Sequence, residues 1–230
     1  MRSLRFSSET LLLFAVLALA FGLRIVGIQF GLPYLYHADE PIVVNHALAF
    51  GGGDLNPHFF KIPPLVSYLL FGVYGIYFLL GRLCGVFPSI HEFEQLFYTD
   101  PTSFYLIARV LFGAFLGTLS VYALYRMAKR FWSMETALLA GLFFATCFLH
   151  VRDSHYIYAD IPLVLVLILG FIQILKLSEN PERWPLHLKV GVLIGLAVAT
   201  KYNGIFLVLP YFWICIRQLN WKKWVPVWLL

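Results

Sequence analysis

The sequence predicts an all-α integral membrane protein that crosses the bilayer several times. Of its 230 residues, 60% are hydrophobic and only 13% are charged, whereas a soluble domain carries roughly a quarter charged residues. The apolar stretches are long and do not alternate with period two, which favours helices over strands. The net charge of +5 comes from short basic clusters between these stretches. That pattern encodes membrane orientation and does not indicate nucleic-acid binding.

Charge bias sets the order of the first crossings. A basic start places the N-terminus inside, so Thr10–Ile28 runs outward and residues 29–61 form the first outer loop. The next basic cluster lies at residues 126–130. Two apolar segments precede it, Ile62–Phe87 and Phe104–Tyr125. Because the chain must return inside, only one of them can cross. The linker between them carries acids but no Lys or Arg, so we expect Phe104–Tyr125 to cross and the earlier segment to lie along the outer leaflet.

The later crossings are shorter. We expect Met134–His150 to run outward to a second outer loop, residues 151–159, and Ala159–Leu175 to return inward. Residues Leu186–Ile216 form two arms that meet at Lys201, and basic clusters flank both arms on the inside. Each arm is shorter than the roughly 20 residues of a full span. Short arms that meet at a polar turn predict a water-filled pocket on the outer side.

The first outer loop contains a helix with two acids at its start. Pro41 suits the first position of a helix that runs to about Phe50 and ends at Gly51–Gly53. A residue before proline is pushed to an extended conformation, so Glu40 is expected to cap this helix and Asp39 to lie in the preceding turn. An acidic cap in a solvated loop is the simplest interpretation of the pair. The rest of the chain favours a functional one.

The predicted topology brings five charged residues to the outer side, each beside an apolar segment where a stray charge is expensive. The carboxylates can supply a general base or ligands for a divalent metal, and the sequence leaves the metal requirement open. Two lysines supply positive charge for an anion such as a phosphate. The five residues are Asp39, Glu40, Lys61, Asp160 and Lys201.

Two further residues are candidates for substrate binding. Arg109 lies near the outer end of its crossing, where it either contacts a phosphate or braces the bundle through an ion pair. His155, in the second outer loop, could bind a metal or act as an acid or base, against the alternative of an ordinary loop histidine.

The order of these motifs resembles the polytopic glycosyltransferases of the GT-C fold, and in particular the bacterial protein-mannosyltransferase-like group that includes the aminoarabinose transferase of lipid A. The resemblance covers nearly the whole chain. The motifs that carry it are Asp39-Glu40, Lys61-Ile62-Pro63-Pro64-Leu65, Ala108-Arg109, Asp160 after an Arg-containing loop, and Gly195-Leu196-Ala197 before Thr200-Lys201-Tyr202.

The resemblance implies a GT-C-like helix bundle with a juxtamembrane first outer loop and a site on the outer face. It implies transfer of a sugar from a polyprenyl-phosphate donor to a lipid, glycan or protein acceptor, with membrane lipids as surroundings. The family's catalytic aspartate falls on Asp39, its phosphate-binding lysine on Lys61, and its second-loop acid on Asp160. The bacterial members also imply the inner membrane.

Two other classes of protein compete with this interpretation. A transporter or flippase for a lipid-linked sugar would also place charges and broken helices at a membrane cavity, although this chain has no internal repeat. A non-catalytic assembly subunit is the third option. Because Trp221–Leu230 begins a further apolar segment, we expect the 230 residues to be the N-terminal part of a longer transferase, with its C-terminal remainder absent.

Overall fold

The computed structural model describes residues 8–218, and within that range the regular structure is helical throughout, without a β-strand. The predicted all-α class is therefore confirmed. The Trp221–Leu230 segment lies outside the described residues. The helices are α1 Ser8–Ile25, α2 Glu40–Ala49, α3 Leu65–Leu83, α4 Ile90–Thr99, α5 Thr102–Ala108, α6 Leu116–Ala128, α7 Met134–Ala145, α8 Phe148–Asp153, α9 Asp160–Glu179, α10 Trp184–Thr200 and α11 Val208–Gln218.

Three shorter segments complete the architecture. The π-helix Arg109–Phe115 joins α5 to α6 in one unbroken helix, and the 3₁₀-helices Phe50–Gly52 and Tyr202–Leu207 follow α2 and precede α11. Four helices are long and apolar enough to span a bilayer: α1, α3, Thr102–Ala128 and α9. The protein is thus a multi-pass integral membrane protein.

Ion pairs identify the two ends of the bundle. Lys129, after α6, pairs with Glu9 at the start of α1, and Arg130 pairs with Glu179 at the end of α9. The basic cluster makes this the inner end. At the opposite end, which we call the outer end, Lys201 after α10 pairs with Asp160 at the start of α9. The directions of these crossings agree with the charge pattern of the sequence.

Helix α3 has the length and composition of a span, but its contacts support the prediction that it lies across the outer end. The hydroxyl of Tyr74, in the middle of α3, donates to the carbonyl of Phe104, at the start of the crossing helix, over 3.1 Å. A helix crossing beside its neighbours would have its middle at mid-membrane instead. A return path is also missing, because the ten residues of α4 extend only about 15 Å, half the hydrocarbon thickness. We therefore interpret α3 as a helix that lies across the outer end of the bundle.

An aromatic core holds helices α3 to α5 together at the outer end. The rings of Tyr77, Phe87, Phe93 and Phe104 meet mostly edge to face, with centroids 4.9–5.7 Å apart. Each such pair adds about 0.5–1.5 kcal/mol beyond the burial of its area. Val43, Val44 and Ala47 of α2 are buried in the same cluster, so the helix that begins at the two acids packs on this core.

Two boundaries differ from prediction. The segment Met134–His150 is not one helix: α7 ends at Ala145 and a new helix, α8, starts at Phe148. The second outer loop is therefore shorter than residues 151–159, since α8 continues to Asp153. Hydropathy cannot detect this break because the residues on both sides of it are apolar.

Candidate active site at the outer end of the bundle

Asp39 lies at the start of α2 with its carboxylate uncommitted. Its backbone N–H donates to His37 Nδ1 over 3.3 Å, and its carbonyl accepts from Ile42 over 3.2 Å. Within residues 8–218 the half-buried Asp39 carboxylate makes no side-chain hydrogen bond or ion pair. An acid held at its backbone but free at its carboxylate can accept a proton or a ligand donor.

The prediction that Glu40 caps α2 is wrong. Asp39 occupies the cap position, and Glu40 is the first residue of the helix. Its side chain is fully buried, with Oε1 and Oε2 accepting from Arg109 Nε and Nη2 over 2.8 and 2.6 Å. Oε1 also accepts from the backbone N–H of Ile157 over 2.9 Å. Capping preferences are local, whereas this partner is 69 residues away and satisfies the carboxylate better than the helix start does.

Arg109 uses its remaining nitrogen on the first outer loop. Nη1 donates to the carbonyls of Ile28 and Phe30 over 2.8 and 2.9 Å. Together with Glu40, it ties the end of α1, the start of α2, the π-helix and the second outer loop to one another. Of the two roles considered from the sequence, the contacts favour bracing.

Asp160 and Lys201 lie together at the outer end, in agreement with the topology predicted from the sequence. Lys201 Nζ donates to Asp160 Oδ1 over 2.6 Å, and both side chains are partly exposed. The chain turns sharply after Lys201 because Gly204 lies against the backbone of Ala197, where a Cβ at position 204 would come within 2.3 Å of that residue's carbonyl carbon. The turn therefore requires glycine.

Tyr158 connects this pair to Asp39. Lys201 Nζ lies over its ring, 5.1 Å from the centroid. Burial, together with the nearby Asp39 and Asp160 carboxylates, raises the pKa of the Tyr158 hydroxyl, and Lys201 opposes the shift. At neutral pH this hydroxyl is a neutral hydrogen-bond donor. Asp39, Asp160 and Lys201 thus surround one phenol, although they come from three separate parts of the chain.

Lys61 lies on the segment next to this cluster. Tyr202 donates its hydroxyl to the carbonyl of Phe60 over 2.7 Å, which fixes the neighbours of Lys61 and Lys201 to each other. The Lys61 side chain is exposed and forms no ion pair with any residue in the described range. It is an exposed cation on the segment that is fixed beside Lys201.

His155 is held differently from the other candidates. Its Nδ1 lies 2.8 Å from the Val151 carbonyl and its Nε2 lies 2.9 Å from the Val26 carbonyl. With both nitrogens on backbone oxygens, it fastens the second outer loop to the end of α1. These contacts favour the loop-histidine alternative over a metal or acid-base role.

Sequence reasoning missed the aromatic part of the site. From the sequence, Tyr156 and Tyr158 fit the aromatic belt that membrane proteins have at the interface, and His37 has no evident role. In the structure the His37 ring packs 4.7 Å from Tyr156 and 6.0 Å from Tyr158, centroid to centroid. The only available signal was their position close to Asp39 and Asp160 along the chain. Among residues 8–218 no three His, Cys, Asp or Glu side chains form a group suited to a metal ion.

Comparisons with known proteins agree with the resemblance read from the motifs. Residues 57–230 match the family model described as dolichyl-phosphate-mannose-protein mannosyltransferase. This region contains Lys61, Asp160 and Lys201 but begins after Asp39. The chain is 26% identical over 173 residues to dolichyl-phosphate-mannose–protein mannosyltransferase 1 of Saccharomyces cerevisiae, an alignment covering 72% of this chain and 19% of the yeast protein. The chain thus spans about a fifth of its relative's length, and no solved structure matches it.

Proposed function

This chain belongs to the dolichyl-phosphate-mannose-protein mannosyltransferase family, and from that membership we propose that it acts in a membrane glycosyltransferase. The donor is a sugar linked to a polyprenyl phosphate, and the acceptor hydroxyl enters from the outer face. Because the yeast relative is a dolichyl-phosphate-mannose–protein mannosyltransferase, mannose is the first sugar to test and a protein the first acceptor. Location in a bacterial inner membrane stays a prediction, because a relative from yeast does not indicate which membrane holds this chain.

The uncommitted Asp39 carboxylate is the observation that carries the proposal. In the reaction, the acceptor oxygen bonds to the anomeric carbon, the bond from that carbon to the phosphate oxygen breaks, and the acceptor proton passes to Asp39. A base must be within hydrogen-bond reach and unpaired before the substrate arrives. Glu40 does not meet this condition because Arg109 and Ile157 already use both of its oxygens.

The leaving group is an anionic polyprenyl phosphate, so its departure requires positive charge. Lys61 is the exposed cation beside the cluster, and Lys201 is held by Asp160 at a fixed position. We assign phosphate binding to Lys61 and a supporting charge to Lys201. Tyr158, whose raised pKa keeps it protonated, supplies a donor beside Lys201.

The test is an assay of the full-length protein with mannosyl polyprenyl phosphate and a peptide acceptor, comparing two variants. Asp39→Asn keeps size and shape but cannot take the proton, so kcat should fall by about 10²–10⁴-fold with donor binding intact. Asp54→Asn is the matched control, because Asp54 lies exposed in the same loop, bonded to His58. Near-normal turnover in Asp39→Asn, with the protein folded, would refute the base and favour the transporter or assembly-subunit alternatives.

A further inference from the structure

A cavity lies at the inner end of the bundle, away from the candidate active site. It has a volume of about 730 Å³ and is bounded by α1, α6 and α9. Four cations and one carboxylate line it: Arg126, Lys129, Arg130, Lys176 and Glu9. Nothing in the proposed transfer reaction uses this end of the molecule, since the acids and Lys201 are at the other end.

Two of the cations have no acidic partner in the described part of the chain. Lys129 and Arg130 are paired with Glu9 and Glu179. Arg126 contacts only the hydroxyl and ring of Tyr122, and Lys176 forms no ion pair among residues 8–218. The mouth of the cavity therefore keeps excess positive charge beside the apolar phase, where an unpaired charge is expensive.

The cavity becomes apolar with depth. Away from the charged mouth its walls are Leu119, Leu165, Leu169 and Ile172. Leu165 lies eleven residues along α9 from Lys176, which corresponds to about 16 Å, close to the roughly 15 Å of one leaflet's hydrocarbon. Leu119 is 37% exposed, so the apolar part is open toward the surrounding lipid. A charged mouth and an apolar shaft one leaflet deep match a phospholipid in both charge and length.

We propose that this cavity binds an anionic phospholipid of the inner leaflet. The headgroup phosphate lies between Arg126 and Lys176, and an acyl chain follows the leucines of α6 and α9. Basic pockets between membrane helices on this side are suited to such headgroups. The bound lipid fills the cleft between α6 and α9 and neutralises the two unpaired cations. This site is independent of the proposed sugar transfer.

The experiment measures lipid retained by the purified full-length protein, using native mass spectrometry after incubation with mixed vesicles of phosphatidylglycerol and phosphatidylcholine. The wild type should retain phosphatidylglycerol in preference to phosphatidylcholine of the same chain length. The double variant Arg126→Gln/Lys176→Gln should bind phosphatidylglycerol at least about tenfold more weakly, since each cation near a headgroup adds about 1 kcal/mol. Arg183→Gln/Lys189→Gln removes two exposed charges near the same end but outside the cavity and should leave retention unchanged.

Two further measurements show whether the site recognises the whole lipid or the phosphate alone. Inorganic phosphate at millimolar concentration should not displace the lipid, and Leu169→Trp should reduce retention by filling the shaft without changing charge. Equal retention of the two lipids by the wild type, or equal losses in the two double variants, would overturn the proposal. So would displacement by phosphate alone, since it would indicate a headgroup site without a chain site. Comparing lipids on the wild type keeps the test decisive even if a variant folds poorly.

Discussion

Replacing Glu40 by Gln should destabilise the protein far more than the same change at Asp39, although the two acids are neighbours. Glu40 is 0% exposed and Arg109 is 1% exposed, and two hydrogen bonds of 2.6 and 2.8 Å join them. Removing one partner of such a pair leaves an uncompensated buried charge, which typically costs about 3–5 kcal/mol. Asp39 has no side-chain partner among the described residues, so Asp39→Asn should change the free energy of unfolding by less than about 0.5 kcal/mol.

The assay is a double-mutant cycle on full-length protein in detergent, with unfolding by a denaturing detergent followed through helix signal. Glu40→Gln and Arg109→Gln are measured singly and together. Because the double variant removes both charges, its loss should be smaller than the sum of the single losses by about 1–3 kcal/mol. Losses that add within about 0.5 kcal/mol would show that the pair does not act as a unit. The bracing role of Glu40 and Arg109 would then be wrong.

Three other expectations concern the donor, the packing of the site and the topology. Lys61→Ala should raise the donor KM about ten- to a hundredfold, as expected for the loss of a charge-assisted contact with the phosphate. Lys61→Arg should recover part of the loss. An unchanged KM in Lys61→Ala would show that Lys61 is not part of the site. Gly113→Ala should lower stability and turnover together, because a Cβ there would meet the Ser154 carbonyl oxygen at 2.1 Å; wild-type thermal stability would contradict this close packing. In a cysteine-free background, an impermeant thiol reagent added outside should label a cysteine placed at Glu94. A cysteine placed at Lys129 should stay unlabelled until the membrane is opened. The reverse pattern would refute the placement of α3.

The features that were predicted correctly from the sequence are those that the bilayer imposes on the whole chain. The bilayer demands long apolar helices, and charge bias orients them, so the helices at Thr10–Ile28, Phe104–Tyr125 and Ala159–Leu175 were predictable, as was the convergence of Asp160 with Lys201. The helix after Pro41 was also predicted to within a residue, and its 3₁₀ extension is capped by Gly53, which has a φ of +94°.

The predictions that failed concern residues whose contacts lie far away along the sequence. Capping preference describes Glu40 from its neighbours, but its position is decided by Arg109 and Ile157, which reach it only in the folded bundle. Tyr158 could not be recognised for the same reason, because interfacial tyrosines are common and only its surroundings make this one part of the site. The break between α7 and α8 has no compositional mark. The placement of Lys61 and Asp39 in catalysis stays a prediction.

The π-helix Arg109–Phe115 has a consequence for chain length. A π turn holds more residues than an α turn, and such segments often arise at functional sites. Because its wider turns absorb one extra residue, deleting a residue here, such as Leu111, would restore a regular α-helix whose two halves keep nearly the same relative orientation. Arg109 would still face Glu40 after such a deletion, whereas the same deletion within α6 would rotate Arg109 by about 100° relative to the inner half of the helix. A relative that is one residue shorter in the π segment would therefore keep both the charged pair and its contact.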